Sequence, residues 1–124
     1  MRITDTKKAP AAIGPYSQAI STRNLLFTSG QIALDAKTGE VVGDDIVSQT
    51  EQLIKNLSAI LDENNADFEN VVKTTCFLKD MNDFAKFNEV YAKYFVGKPA
   101  RSCVAVKTLP KDVLVEVEMI VELS

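Results

Sequence analysis

Val113-Leu114-Val115-Glu116-Val117-Glu118-Met119-Ile120-Val121-Glu122-Leu123 is the stretch on which the fold turns. Side chains of a β-strand alternate between two faces. Val113, Val115, Val117, Met119, Val121 and Leu123 therefore share one face, and Leu114, Glu116, Glu118, Ile120 and Glu122 share the other. The first face is wholly apolar and belongs in a core beneath helices. The second mixes acids with large aliphatics, which suits a surface covered by another subunit better than one bathed in water.

Working back from that strand, Leu109-Pro110-Lys111-Asp112 reads as a turn, and Arg101 to Val106 and the β-branched run Val71 to Leu78 read as strands. Between those two strands Asn82 or Asp83 can cap a helix with the stripe Phe84, Phe87, Asn88, Tyr91, Tyr94 and Phe95, closed by Gly97 and Pro99. Upstream, Ser48-Gln49-Thr50-Glu51 has capping-box spacing. Leu53, Ile54, Leu57, Ile60 and Leu61 then recur every three to four residues, predicting an amphipathic helix that ends near Asn64-Asn65.

Tyr16 to Ile20 and Leu25 to Ser29, separated by Ser21-Thr22-Arg23-Asn24, read as a hairpin, and Gly30 as a bend or a close backbone approach. Asp35 to Glu40 carries turn residues, and Val41-Val42-Gly43 follows as a short extended piece. Pro10, Gly14 and Pro15 oppose regular pairing before Tyr16, so the first fifteen residues are expected to form an arm or loop. The order of elements predicts an α+β fold in one domain, residues 1–124: a single sheet with both helices on one face and the other face in need of a lid.

Composition bounds the function. With 46% hydrophobic and 25% charged residues, the chain is ordinary globular material. A net charge of −3 weighs against a phosphate backbone as partner. No apolar run is long enough for a membrane span and the start resembles no signal segment, so a cytoplasmic protein with neither nucleic-acid nor membrane partner is expected. Cys76 and Cys103 are far apart in strand-like segments, and there is no histidine. A metal site is not expected. Proton transfer near pH 7 then falls to a carboxylate of raised pKa, a Tyr, a Lys, a Cys or water.

Several short strings, taken in order, resemble one family. They are Gly14-Pro15-Tyr16-Ser17-Gln18-Ala19, Ser29-Gly30-Gln31-Ile32, Phe77-Leu78-Lys79-Asp80-Met81, Phe87-Asn88-Glu89-Val90-Tyr91, Pro99-Ala100-Arg101-Ser102-Cys103-Val104, Leu109-Pro110-Lys111-Asp112 and Val115-Glu116-Val117-Glu118. Together they span nearly the whole chain and look like the RidA family, also called YjgF; the Pro-Ala-Arg-Ser-Cys string with its downstream acids is the most specific. Ala105 and Lys107 depart from residues common in relatives, which bears on substrate range. The resemblance implies a fold like the Bacillus type of chorismate mutase, in which three sheets form the central barrel of a homotrimer. It further implies clefts between subunits, no cofactor, and hydrolytic deamination of enamines and imines such as 2-aminoacrylate and 2-aminocrotonate to 2-keto acids and ammonia.

Such a substrate carries a carboxylate beside an imine carbon. The planar fork of Arg101 can grip that anion, unless it pairs with an acid across a subunit contact. Glu116 stands where the resemblance assigns water activation, a task that a partly desolvated carboxylate can perform; an ordinary polar residue on a solvated strand is the alternative. Cys103 shares the face of Arg101 and reads as a small buried residue rather than a nucleophile, and the resemblance gives its position backbone contacts near the substrate. Tyr16, Ser29 and Gly30 match positions lining the cleft, although each alone would serve a turn or packing. Asn88 interrupts an apolar stripe, either as a satisfied buried amide or as a cleft residue. Two other functions stay open beside the deaminase: a regulatory module that binds a small metabolite without turnover, and a ribonuclease or translation inhibitor. The acidic balance and the absence of an aromatic, basic surface weigh against the latter.

Overall fold

In the computed structural model, which describes residues 1–124, the elements follow the order β1 (Arg2–Thr4), β2 (Ala19–Thr22), β3 (Leu25–Thr28), α1 (Ile46–Glu63), β4 (Val71–Leu78), α2 (Phe84–Tyr94), β5 (Ala100–Ala105) and β6 (Val115–Glu122). The strands form one mixed sheet in the order β1-β2-β3-β6-β4-β5. Only β4 and β5 run parallel, joined through α2; the other neighbours are antiparallel. The last strand in sequence therefore lies inside the sheet, between β3 and β4, and β5 forms an edge.

Alternation along β6 is as predicted: Val115, Val117, Met119 and Val121 are fully buried, while Glu116 and Ile120 are half-buried and Glu118 and Glu122 exposed. The buried face packs with Leu26, Cys76 and Leu78 against Leu53, Ile54, Leu57, Ile60 and Leu61 of α1 and Phe87, Val90 and Tyr91 of α2. Each fully buried large aliphatic or aromatic side chain contributes about 1.5–3 kcal/mol. Both helices thus cover one face, giving the α+β layer expected. Across the opposite face the register aligns Ile3, Ile20, Phe27 and Ile120 in one row, and Glu116, Phe77 and Val104 in another. Ile3 is 57% exposed and Val104 48%, so this face carries apolar surface that nothing in the chain covers.

Three local expectations are corrected. Arg2–Thr4 is not part of a loose arm: it pairs with Ala19 to Ser21 as the outer strand of the sheet. Its backbone turns away before the prolines act, and Gln18, almost wholly buried, bonds to Thr6 N, Thr6 O and Pro10 O and so anchors the irregular segment after β1. Val41 makes only an isolated bridge to Leu34 and builds no strand. Finally, α1 begins earlier than Ser48. Asp45 is the cap, accepting from Ser48 N at 2.7 Å, so Ser48 occupies the third helical position. Such a cap is typically worth about 1 kcal/mol. The end near Asn64-Asn65 agrees with expectation, with Asn65 in the left-handed region at φ 55°. α2 begins after Asp83, as expected by position, but Asp83 makes no capping bond. Asp80 instead caps a 3₁₀ turn over Met81–Asp83 that runs straight into the helix.

Candidate functional site

Arg101 is on the edge strand β5, in register with Thr74 of β4, while Cys103 is in register with Cys76. Thr74 and Cys76 are fully buried under the helices, so Arg101 and Cys103 point to the helix side. There the guanidinium donates from Nη1 to Asn88 Oδ1 at 2.7 Å. Its Cζ stands 4.7 Å from the ring centroid of Tyr91 and 5.4 Å from that of Phe84, within range of cation–π attraction. Tyr91 is itself fixed: its hydroxyl shares a 2.7 Å hydrogen bond with Thr74 Oγ1, and its ring stacks on Phe95 at 4.2 Å. Asn88 and Arg101 line a cleft of about 410 Å³ with Tyr91, Phe95, Lys98 and Pro99, and that lining contains no acid.

Cys103 is half-buried beside this arrangement but does not line the cleft. Burial holds its thiol above the ordinary range, against a smaller opposing pull from Arg101. Burial likewise pushes Cys76 up to about 12. Neither sulfur is placed to act as a ready thiolate.

Glu116 has a different setting. Its partner in β4 is Phe77, on the face away from the helices. Near it the β3–β6 ladder is interrupted: Met119 N donates to Thr28 Oγ1, and regular bonding resumes only where Gln31 and Val117 exchange both backbone bonds. Ser29 and Gly30 fill the interruption. A Cβ built on Gly30 would lie 2.8 Å from Glu116 Cδ and closer still to Oε2. The absence of a side chain at Gly30 is therefore what lets the carboxylate lie against the backbone. Burial holds the Glu116 carboxyl above the ordinary carboxylate range, with a smaller contribution from the neighbouring charge of Glu118. Glu116, Gly30, Ser29 and Tyr16 line one cleft of about 330 Å³. Ser29 Oγ donates to Ser17 O at 2.6 Å, which leaves its lone pairs available, while Tyr16 is 55% exposed at the rim.

The structure thus gathers the sequence candidates into two groups, Arg101 with Asn88 and Glu116 with Tyr16, Ser29 and Gly30. It does not bring the groups together, because Arg101 and Glu116 lie on opposite faces of the one sheet. Sequence reasoning missed the aromatic platform of Phe84 and Tyr91 beneath Arg101, although both belong to the helical stripe. It also missed Pro10, Ala11, Ile32, Leu34 and Pro110 in the Glu116 cleft, which come from irregular segments without periodic signal. A larger groove of about 1060 Å³ follows α1 but contains neither group. Two of its acids are engaged locally: Asp35 accepts from Lys37 N and Thr38 N, and Glu51 accepts from Tyr94 Oη.

Comparison with known proteins adds the lineage. Residues 6–123 match the family model described as Endoribonuclease L-PSP. AldR of Lactococcus lactis, named as a regulator, is 55% identical over 100% of this chain and 99% of its own. The mouse 2-iminobutanoate/2-iminopropanoate deaminase is 48% identical over 96% of this chain and 89% of its own. Among solved structures, Escherichia coli TdcF with bound serine superposes with a TM-score of 0.94 at 41% identity, covering 100% of both chains.

Proposed function

The chain belongs to the Endoribonuclease L-PSP family, the family that includes proteins named RidA and YjgF, and from that premise we propose that it hydrolyses small enamines and imines to 2-keto acids and ammonia. The observation that carries this reading is the state of Arg101. Its guanidinium pairs with no carboxylate of the chain; the ion pairs present are Arg2–Glu63, Lys79–Asp112 and Lys93–Glu51. A cation kept unpaired on an aromatic shelf is a receptor for an anion, and the carboxylate of 2-aminoacrylate or 2-aminocrotonate supplies one. A bidentate, charged contact of this kind contributes about 1.5–3 kcal/mol.

With the carboxylate held there, the imine carbon is placed for attack. Glu116 takes a proton from water as the oxygen adds to that carbon and passes it to the nitrogen, giving a carbinolamine; it then takes the proton of the new hydroxyl and passes that to the nitrogen as the C–N bond breaks, the C=O bond forms and ammonia leaves. The upward shift that burial gives its pKa favours both halves of that exchange, since it makes the carboxylate a stronger acceptor toward water than an exposed glutamate while the protonated form can still donate to nitrogen. The hydroxyls of Tyr16 and Ser29 can bind substrate or order the water. In this reading Cys103 contributes backbone groups, and no cofactor or metal is required.

Arg101 and Glu116 face opposite ways within one chain, so this chemistry requires a cleft shared between copies, the Arg101 group of one meeting the Glu116 group of the next. The uncovered apolar face, with Ile3, Phe27 and Val104, and the open edge of β5 favour such packing. A homotrimer with the open faces forming a central barrel meets both needs. Sedimentation is expected to give three times the 13.6 kDa chain mass, and a monomer would remove the shared cleft.

The deciding experiment adds the protein to a threonine dehydratase reaction and follows decay of the imine spectroscopically. Faster keto acid formation, lost with Arg101→Ala, is expected; equal rates with and without the protein would sink the reading. A second reading, a sensor that binds without turnover, is favoured by the relative named as a regulator and by the serine bound to TdcF. Binding of serine or 2-oxobutyrate with no imine turnover would select it.

A further inference from the structure

Resting on the anion-receptor reading of Arg101 and deepening it, we propose that Asn88 is a positioning residue that orients the guanidinium while leaving its charge uncancelled, so that the cleft selects anionic ligands. The geometry is a three-point mount delivered by one helix. Phe84, Asn88 and Tyr91 are spaced four and three residues apart, which places them on one face of α2 above the edge strand. The rings of Phe84 and Tyr91 support the guanidinium, with Cζ 5.4 and 4.7 Å from their centroids, and Asn88 Oδ1 accepts from Nη1 at 2.7 Å, a directional bond that fixes its rotation. Of the five N–H donors of an arginine, one is taken by Asn88 and four are left without a partner in the chain.

The choice of acceptor matters. A carboxylate in the place of the amide would make the same hydrogen bond, and a stronger one, but would also neutralise the cation. The amide oxygen orients without adding net charge, and the ring faces hold the cation through their quadrupoles, likewise without a countercharge. Asn88 thus acts through Arg101 rather than as a contact of its own with the ligand.

Two substitutions separate orientation from charge. Asn88→Asp keeps the bond and cancels the charge; Asn88→Ala keeps the charge and frees the side chain. Calorimetry with 2-oxobutyrate as probe should show binding weakened about tenfold or more by Asn88→Asp and by less, about three- to fivefold, by Asn88→Ala. The melting temperature of Asn88→Asp is expected to equal or exceed that of the parent, whereas a purely structural asparagine would make both variants less stable and bind in proportion. NMR relaxation of the Arg101 Nε–H should show added motion in Asn88→Ala but not in Asn88→Asp. In an Arg101→Ala background, Asn88→Ala should weaken binding no further. The proposal is overturned if Asn88→Asp binds 2-oxobutyrate as tightly as the parent, if Asn88→Ala leaves the Nε–H as rigid as before, if its effect persists without Arg101, or if the unsubstituted protein does not bind the probe. Imine turnover is a separate readout: binding with the expected variant pattern but no turnover would end the deaminase reading and leave the role of Asn88 standing.

Discussion

Arg101 and Glu116 are both half-buried ionisable groups on one sheet, and their surroundings treat charge in opposite ways. Around Arg101 every contact tolerates the cation: two ring faces, one amide oxygen and no acid to cancel it. Around Glu116 burial and the charge of Glu118 both disfavour the anion. The first environment leaves a permanent positive charge in place; the second raises the affinity of a carboxylate for its proton. The contrast also appears in the backbone. Arg101 is held by regular strand and helix, whereas the carboxylate of Glu116 lies against the irregular backbone after β3, in space that a side chain at position 30 would occupy.

If the division of labour is right, the largest effect belongs to the proton-moving group. Glu116→Gln should lower kcat for imine hydrolysis by about 10²- to 10⁴-fold while leaving 2-oxobutyrate binding nearly intact. A parallel loss of binding would place Glu116 in the anion site and erase the contrast. Next comes Arg101→Ala, expected to lower kcat/KM by about 10- to 150-fold, mainly through KM. Arg101→Lys should recover only part of it, since an ammonium lacks the planar fork; full recovery would reduce the site to a simple point charge.

Gly30→Ala tests the backbone side of the contrast. The added Cβ has to displace the carboxylate of Glu116, and kcat should fall about tenfold with binding preserved. An unchanged kcat would mean that the seat of the carboxylate against Gly30 has no part in the chemistry. The smallest expected effect is on stability. Because the folded chain holds Glu116 above its ordinary carboxylate range, it binds that proton more tightly than the unfolded chain does. The stability linked to this group is therefore full below the ordinary carboxylate range and is lost as pH rises through the raised folded value. Melting curves of Glu116→Gln and the parent should coincide near pH 4 and separate in favour of the glutamine at pH 8. A separation of the opposite sign would mean that the carboxylate is stabilised, not strained, in its cleft.

Much of this architecture is legible in the chain. Val71–Leu78 reads as a strand with the bounds observed, and the stripe of α1 and the faces of β6 come from spacing alone. The strand Arg2–Thr4 is not legible, because three residues are too few to display a period and its pairing depends on β2, fifteen or more residues away. The start of α1 is ambiguous in sequence because Asp45 and Ser48 both satisfy the chemistry of a cap, and only backbone geometry distinguishes a capping residue from the third residue of the helix. At the site, Arg101, Glu116 and the residues around Gly30 stand out in local strings, but the service of Asn88 and Tyr91 to Arg101 does not, since it spans α2 and β5.

By itself the sequence determined which side chains share a face within each helix or strand, because those periods of 3.6 and two residues are local consequences of backbone geometry. It also determined the residue types available for the chemistry, with carboxylates and arginine but no histidine. Only the tertiary structure decided that β6 lies inside the sheet, that β5 forms its edge, and that Arg101 and Glu116 look out from opposite faces. Facing across strands is set by register, and register comes from long-range pairing that no window of neighbouring residues contains.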